Sequence, residues 1–133
     1  MKNIVLLLLF LGALFSTPAG QKVIVKNVQV GKGSIVIDIY NSAETFFKTP
    51  FVSERTQPCS TTVQLSFDLP DGEYAVTGYQ DLNDNGILDK GLFNIPKEPY
   101  GLSNNFRPKW SAPKYDDCKF KVTQQTILTI ILK

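Results

Sequence analysis

From residue 21 onward the chain alternates apolar and polar positions with a period of two through most of its length. That is the signature of strands with one buried face. Lys22-Val23-Ile24-Val25-Lys26-Asn27-Val28-Gln29-Val30 reads as a strand, and Gly31-Lys32-Gly33 as a tight turn. Ser34 to Asn41 follows, with Ile35, Ile37 and Ile39 on one face and Ser34, Val36, Asp38 and Tyr40 on the other. Together these segments predict a first hairpin. Ser42 to Pro58 is polar with Phe46, Phe47 and Phe51, an irregular stretch with room for one short helical turn. Thr61 to Leu69 is the next strand, Pro70-Asp71-Gly72 turns the chain, and Glu73 to Gln80 returns it. Lys119 to Thr123 and Thr126 to Leu132, separated by Gln124-Gln125, predict a second hairpin. No stretch of helix length carries an apolar period of 3.6. Six or seven short antiparallel strands indicate an all-β sandwich, with a small barrel as the alternative.

The N-terminus has a different pattern. Lys2 and Asn3 precede an apolar run from Ile4 to Phe15, and Ser16-Thr17-Pro18-Ala19-Gly20 follows. A basic start, about a dozen apolar residues and a small-residue exit describe a secretory signal peptide. The run is well short of the roughly 20 residues that span a bilayer. Cleavage after Ala19 removes 19 of the 133 residues and leaves 114 as one domain, residues 20–133. It also removes Lys2, taking the basic residues from 14 to 13 against 12 acidic ones, a net charge of +1. The expected location is periplasmic or extracellular.

Composition narrows the chemistry. The chain has no histidine, which excludes Ser-His-Asp and Cys-His catalytic units and imidazole metal ligands. The small net charge disfavours nucleic acid, whose partners carry a concentrated basic patch. A membrane role is disfavoured by the lack of a second apolar span. Cys59 and Cys118 are the two thiols, and an exported protein permits their pairing. The disulfide would close a loop of about 60 residues and contribute roughly 4 kcal/mol in the chain-entropy model. Two inert thiols are the alternative.

The strand ending at Gln80 runs into Asp81-Leu82-Asn83-Asp84-Asn85-Gly86-Ile87-Leu88-Asp89. Oxygen-bearing residues at 81, 83 and 85 followed by Gly86 match the opening of a linear calcium loop. In that reading alternate side chains point inward, Gly86 permits the sharp turn, the Ile87 carbonyl supplies a backbone oxygen, and Asp89 contributes directly or through water. The closing bidentate Glu is missing, because Leu92 stands at that position. Glu98 closes the site only if the loop folds back. Neutral Asn at two ligand positions puts calcium affinity at the weak extracellular end, of order 0.1–1 mM. The competing reading is a loop of Asx turns that satisfies its own backbone without metal.

Leu69-Pro70-Asp71-Gly72-Glu73-Tyr74 looks like the turn of transthyretin-like and immunoglobulin-like sandwiches. In it Pro70 presets φ, Gly72 supplies φ > 0, and Tyr74 buries its ring while its hydroxyl caps a turn. The run Asp81-x-Asn83-x-Asn85-Gly86-x-Leu88-Asp89, then Ile95-Pro96-Lys97-Glu98-x-Tyr100-Gly101-x-Ser103-Asn104-Asn105, then Pro113-x-Tyr115-Asp116-Asp117-Cys118-Lys119-Phe120, resembles the signature of the domain of unknown function 2141 family. These are small exported bacterial proteins, and the resemblance spans roughly residues 23 to 132. It implies a sandwich fold of about seven strands with one long loop, and export. It brings no established activity, substrate or catalytic residue. The family often carries histidine just before the first Asp, where this chain has Gln80, and glycine before the Ile-Pro, where it has Asn94.

Two functions compete. The first is a noncatalytic binding or structural domain, with calcium rigidifying its long loop. That loop, Asp81 to Pro113, carries Phe93, Tyr100, Phe106, Arg107, Lys109 and Trp110, of which Tyr100, Phe106, Arg107 and Trp110 are the candidate contacts for a glycan, peptide or envelope protein. The second is a hydrolase pairing two carboxylates from Asp81, Asp89, Glu98, Asp116 and Asp117.

Overall fold

Alternating apolar positions become strands, and the computed structural model, which describes residues 20–133, holds eight of them. They are β1 (Gln21–Lys26), β2 (Ser34–Tyr40), β3 (Val52–Thr56), β4 (Thr62–Phe67), β5 (Gly72–Asp81), β6 (Tyr100–Leu102), β7 (Phe120–Val122) and β8 (Ile127–Ile131). One α-helical turn, α1 (Tyr115–Cys118), precedes β7. The expected signal peptide lies outside the described residues. Among those described, no helix is long and apolar enough to cross a membrane.

The strands form two sheets, one ordered β4-β1-β8 and the other β3-β2-β5-β6, with β7 also paired to β5. β5 meets β2 along one edge; along the other it meets β7 at Gly72–Tyr74 and β6 at Thr77–Tyr79. Ser103 fills the gap between β7 and β6, its hydroxyl accepting from Val76 N at 2.9 Å and donating to Cys118 O at 2.6 Å.

Ile35, Ile37 and Ile39 face the other sheet and are fully buried with Val25, Val76, Ile130 and Leu132. This is the face read from their spacing. The outer face of the larger sheet is buried too. Tyr40, Ala75 and Leu102 pack there under Phe46, Tyr115 and Cys118, with Tyr40 and Phe46 edge to face at 5.3 Å. The polar stretch after β2 and the segment around α1 are therefore a partial third layer.

Three turns read as strand returns change sheets instead. β1 and β2 do not form the expected hairpin: β1 pairs antiparallel with β4 and parallel with β8. Asn27, in the left-handed region at φ 66, ends β1, and the chain arches across to β2. Gln80 holds that arch, donating to the carbonyls of Gln29 and Lys32, each at 2.7 Å, and accepting from Gln29 N. β7 and β8 likewise belong to different sheets, and so do β4 and β5 around Pro70-Asp71-Gly72. At that corner Tyr74 Oη donates to Pro70 O at 2.8 Å, as the motif implies. Gly72 is not among the positive-φ residues, so the left-handed turn expected there is not formed, and a Cβ at that position would stand in ordinary contact, 3.4 Å from Tyr74 Cε2.

β3 and β6 lie in segments read as irregular. β6 also links the sheets, because Tyr100 and the C-terminal residue Lys133 exchange two backbone hydrogen bonds at 3.1 Å. Gly101 permits this approach: a Cβ there would lie 2.6 Å from Ile130 Cγ2 and 2.7 Å from Ile131 O.

Candidate functional site

Asp81, the last residue of β5, starts the loop and is fully buried. Buried carboxylates need partners for every lone pair they bring out of water. Asp81 Oδ1 accepts from Asn85 N at 3.2 Å, and Oδ2 accepts from Gly86 N at 2.8 Å and Arg55 Nη2 at 3.1 Å. Gly86 takes φ 82, the conformation expected from its place in the motif. Asn83 Oδ1 accepts from Asn85 N, and Asn85 Oδ1 accepts from Ile87 N at 3.2 Å. Both amides donate across the loop to Asp89, Asn83 to Oδ2 and Asn85 to Oδ1, each at 2.7 Å.

Glu98 folds back as the calcium reading requires, but both its oxygens accept backbone donors. Oε1 accepts from Leu82 N and Oε2 from Asp89 N, each at 3.0 Å. Leu92, at the position of the missing bidentate Glu, is exposed. The structure therefore brings Asp81, Asn83, Asn85, Asp89 and Glu98 into one network with the Ile87 amide. Among the described residues, no group of three or more His, Cys, Asp or Glu side chains is arranged to hold a metal ion.

Sequence reasoning missed the network's cation. Arg55 comes from β3, pairs with Asp81 and reaches Asp84 Oδ1 at 3.3 Å. Asp84 also accepts from Ser34 Oγ at 2.6 Å. Its even-numbered place in the loop turns it away from the Asx ring and toward β2 and β3. Nothing in the polar stretch from 42 to 58 singles Arg55 out, and only sheet pairing brings it to the end of β5. Gln80 faces the opposite way from Asp81, so the amide at this departure from the family pattern serves the arch after β1.

Beneath the loop lies a patch of titratable groups. Burial pushes the Tyr79 hydroxyl up to about 12, reinforced by Asp38, Asp81 and Glu98 and opposed by Arg55. Burial, then Asp38, does the same for Tyr40, also to about 12, against a hydrogen bond with Thr77. Burial also raises the Asp38 carboxyl, opposed by Ser53 Oγ donating at 2.6 Å. The two phenols are therefore neutral at physiological pH, and Tyr79 Oη donates to Gly86 O at 3.4 Å.

The four candidate partner contacts separate. Arg107 is a structural clamp: its guanidinium donates to Tyr100 O at 3.0 Å and Ile131 O at 2.6 Å and lies 5.4 Å from the Tyr100 ring centroid. Tyr100 and Phe106 are half-buried against the outer apolar cluster. Trp110 is 97% exposed. Asp116 and Asp117 stand on α1; Asp117 accepts from Lys114 N and Asp116 pairs with Lys119 at 3.1 Å. The expected Cys59–Cys118 disulfide is not formed. Both are free thiols, Cys59 exposed before β4 and Cys118 buried in α1. Burial and Asp117 push the Cys118 thiol up to about 11.

No curated protein and no solved structure matches the chain. The model of one family, described as uncharacterized protein conserved in bacteria (DUF2141), matches residues 23–129, covering strands from both sheets and the whole Asp81–Glu98 network. The chain belongs to that family.

Proposed function

We propose that this is an exported, noncatalytic β-sandwich domain with a binding or structural role, and that the 81–98 loop is its working surface. The observation that carries the reading is how the loop spends its carboxylates. Each oxygen of Asp81, Asp89 and Glu98 accepts from an N–H group of this chain. A general acid or base needs a lone pair or proton free for substrate or water. Groups committed to backbone and amide donors instead hold a shape. The apolar run at residues 4–15 behind a basic start supports export. A panel of glycosides and peptides is expected to show no turnover, alongside saturable binding of an intact polymer. Turnover that disappears in Glu98→Gln would establish the hydrolase reading instead.

Calcium is a second reading, favoured by the inward Asx side chains of residues 81, 83 and 85 around Gly86. Asp81, Asn83, Asn85 and Asp89 would supply side-chain oxygens and Ile87 its carbonyl, and the ion would add rigidity. With two carboxylates facing it, affinity belongs in the range of order 0.1–1 mM. Millimolar calcium should raise the melting temperature relative to chelator, and Asp89→Ala should abolish the rise. Superimposable curves in the two buffers rule the ion out.

A further inference from the structure

The loop continues past the polar network into a protrusion that neither the fold nor the network needs. Lys97 N donates to Asp89 O at 2.8 Å, Lys90 bridges Pro96, and Gly91 N donates to Ile95 O at 2.8 Å. Residues 89–97 thus form a short antiparallel finger. Its base is clamped by Glu98 on Asp89 N and by two amides on the Asp89 carboxylate.

The tip turns through Phe93 and Asn94, both at φ 58, and Ile95 N closes it onto Leu92 O at 3.2 Å. Asn tolerates this left-handed conformation, but it is uncommon for an aromatic residue and costs backbone strain. The strained turn serves no burial: Leu92 is 84% exposed, Phe93 93% and Ile95 62%. Lys90 and Lys97 stand on the two arms of the finger, both exposed, with Lys90 Nζ 6.0 Å from the centroid of the half-exposed Phe47 ring. Among the described residues, neither lysine pairs with a carboxylate.

We propose that this finger inserts Leu92 and Phe93 into the interfacial layer of a lipid bilayer that carries anionic headgroups. Apolar side chains at a convex tip with lysines on its arms match the two layers of such a surface, acyl boundary then headgroup charge. A protein partner fits less well. Specific protein interfaces bury roughly 1,200–2,000 Å², far more than three side chains on a finger offer. A bilayer needs no complementary pocket. The contact is peripheral, so it requires no spanning segment. It goes beyond the proposed function and does not depend on calcium.

The test uses the chain from Gly20 onward, which holds all eight strands and lacks the apolar N-terminal run. It is sedimented, in chelator, with vesicles of phosphatidylcholine alone or mixed with phosphatidylglycerol. Binding to the mixed vesicles is expected, weakened at least about tenfold by Leu92→Ser with Phe93→Ser. Lys90→Glu with Lys97→Glu should remove the preference for phosphatidylglycerol and its salt sensitivity. Absence of binding to either vesicle overturns the proposal, as does an apex variant that binds like the parent. Self-association lost on apex substitution, with no vesicle binding, assigns the finger to a second copy of the chain. A conservative probe, Phe93→Trp in a Trp110→Phe background, should shift its emission to the blue on vesicles. Unchanged emission also overturns the insertion.

Discussion

Glu98 accepts from Leu82 N and Asp89 N across the base of the loop, and so joins the start of the Asx ring to the start of the finger. Its sequence position suggests a distant metal ligand; its geometry makes it a brace. Removing an acceptor from half-buried N–H groups costs about 1–3 kcal/mol for each donor left unpaired. Glu98→Ala should therefore lower stability by about 2–4 kcal/mol, read as a lower urea midpoint at unchanged slope. Glu98→Gln keeps one accepting oxygen and should lose about half as much. If Glu98→Ala unfolds at the parent midpoint, the brace is idle. Asp81 shows the same principle more completely, since its burial is matched by two backbone donors and Arg55.

Turns were legible at the level of elements, and their consequences were not. Gly31-Lys32-Gly33, Pro70-Asp71-Gly72 and Gln124-Gln125 all mark real changes of direction. Each was expected to return a strand beside its predecessor, and each carries the chain to the opposite sheet. Period-two alternation states which face of a strand is buried and is silent about which edge meets which partner. The partner comes from arch geometry: Asn27 in the left-handed region, Gln80 gripping the arch, and Tyr74 bonded to Pro70 O. β3 escaped notice because Val52-Ser53-Glu54-Arg55-Thr56 is mostly polar and exposed. An edge strand with little to bury gives a weak apolar signal, although β2 pairs along its whole length. β6 escaped because three residues make no period, and its place follows from Gly101 admitting Ile130.

The whole molecule is a sandwich closed along one side and thickened by a third apolar layer. Cys118 lies within that layer, so its thiol reports on the entire fold. A native thiol titration should find one fast group, Cys59, with Cys118 reacting only on global unfolding. Its burial shields it from reagent and, with Asp117, raises the thiol to about 11, which opposes thiolate formation in the folded state. Two fast thiols would mean that α1 opens locally, and none would mean that the disulfide forms. The sequence by itself determined the all-β class, the core face of β2, the Tyr74 turn, the sharp turn at Gly86 and the family. The structural features among these rest on residues close together along the chain, where local periodicity and turn chemistry suffice, and the family shows in motifs spread along most of it. Only the tertiary structure decided strand partners, the Arg55 counter-charge, Glu98 as a brace and the finger that leaves Phe93 in solvent. Each depends on groups brought together through space or on burial, and burial is a property of the packed chain.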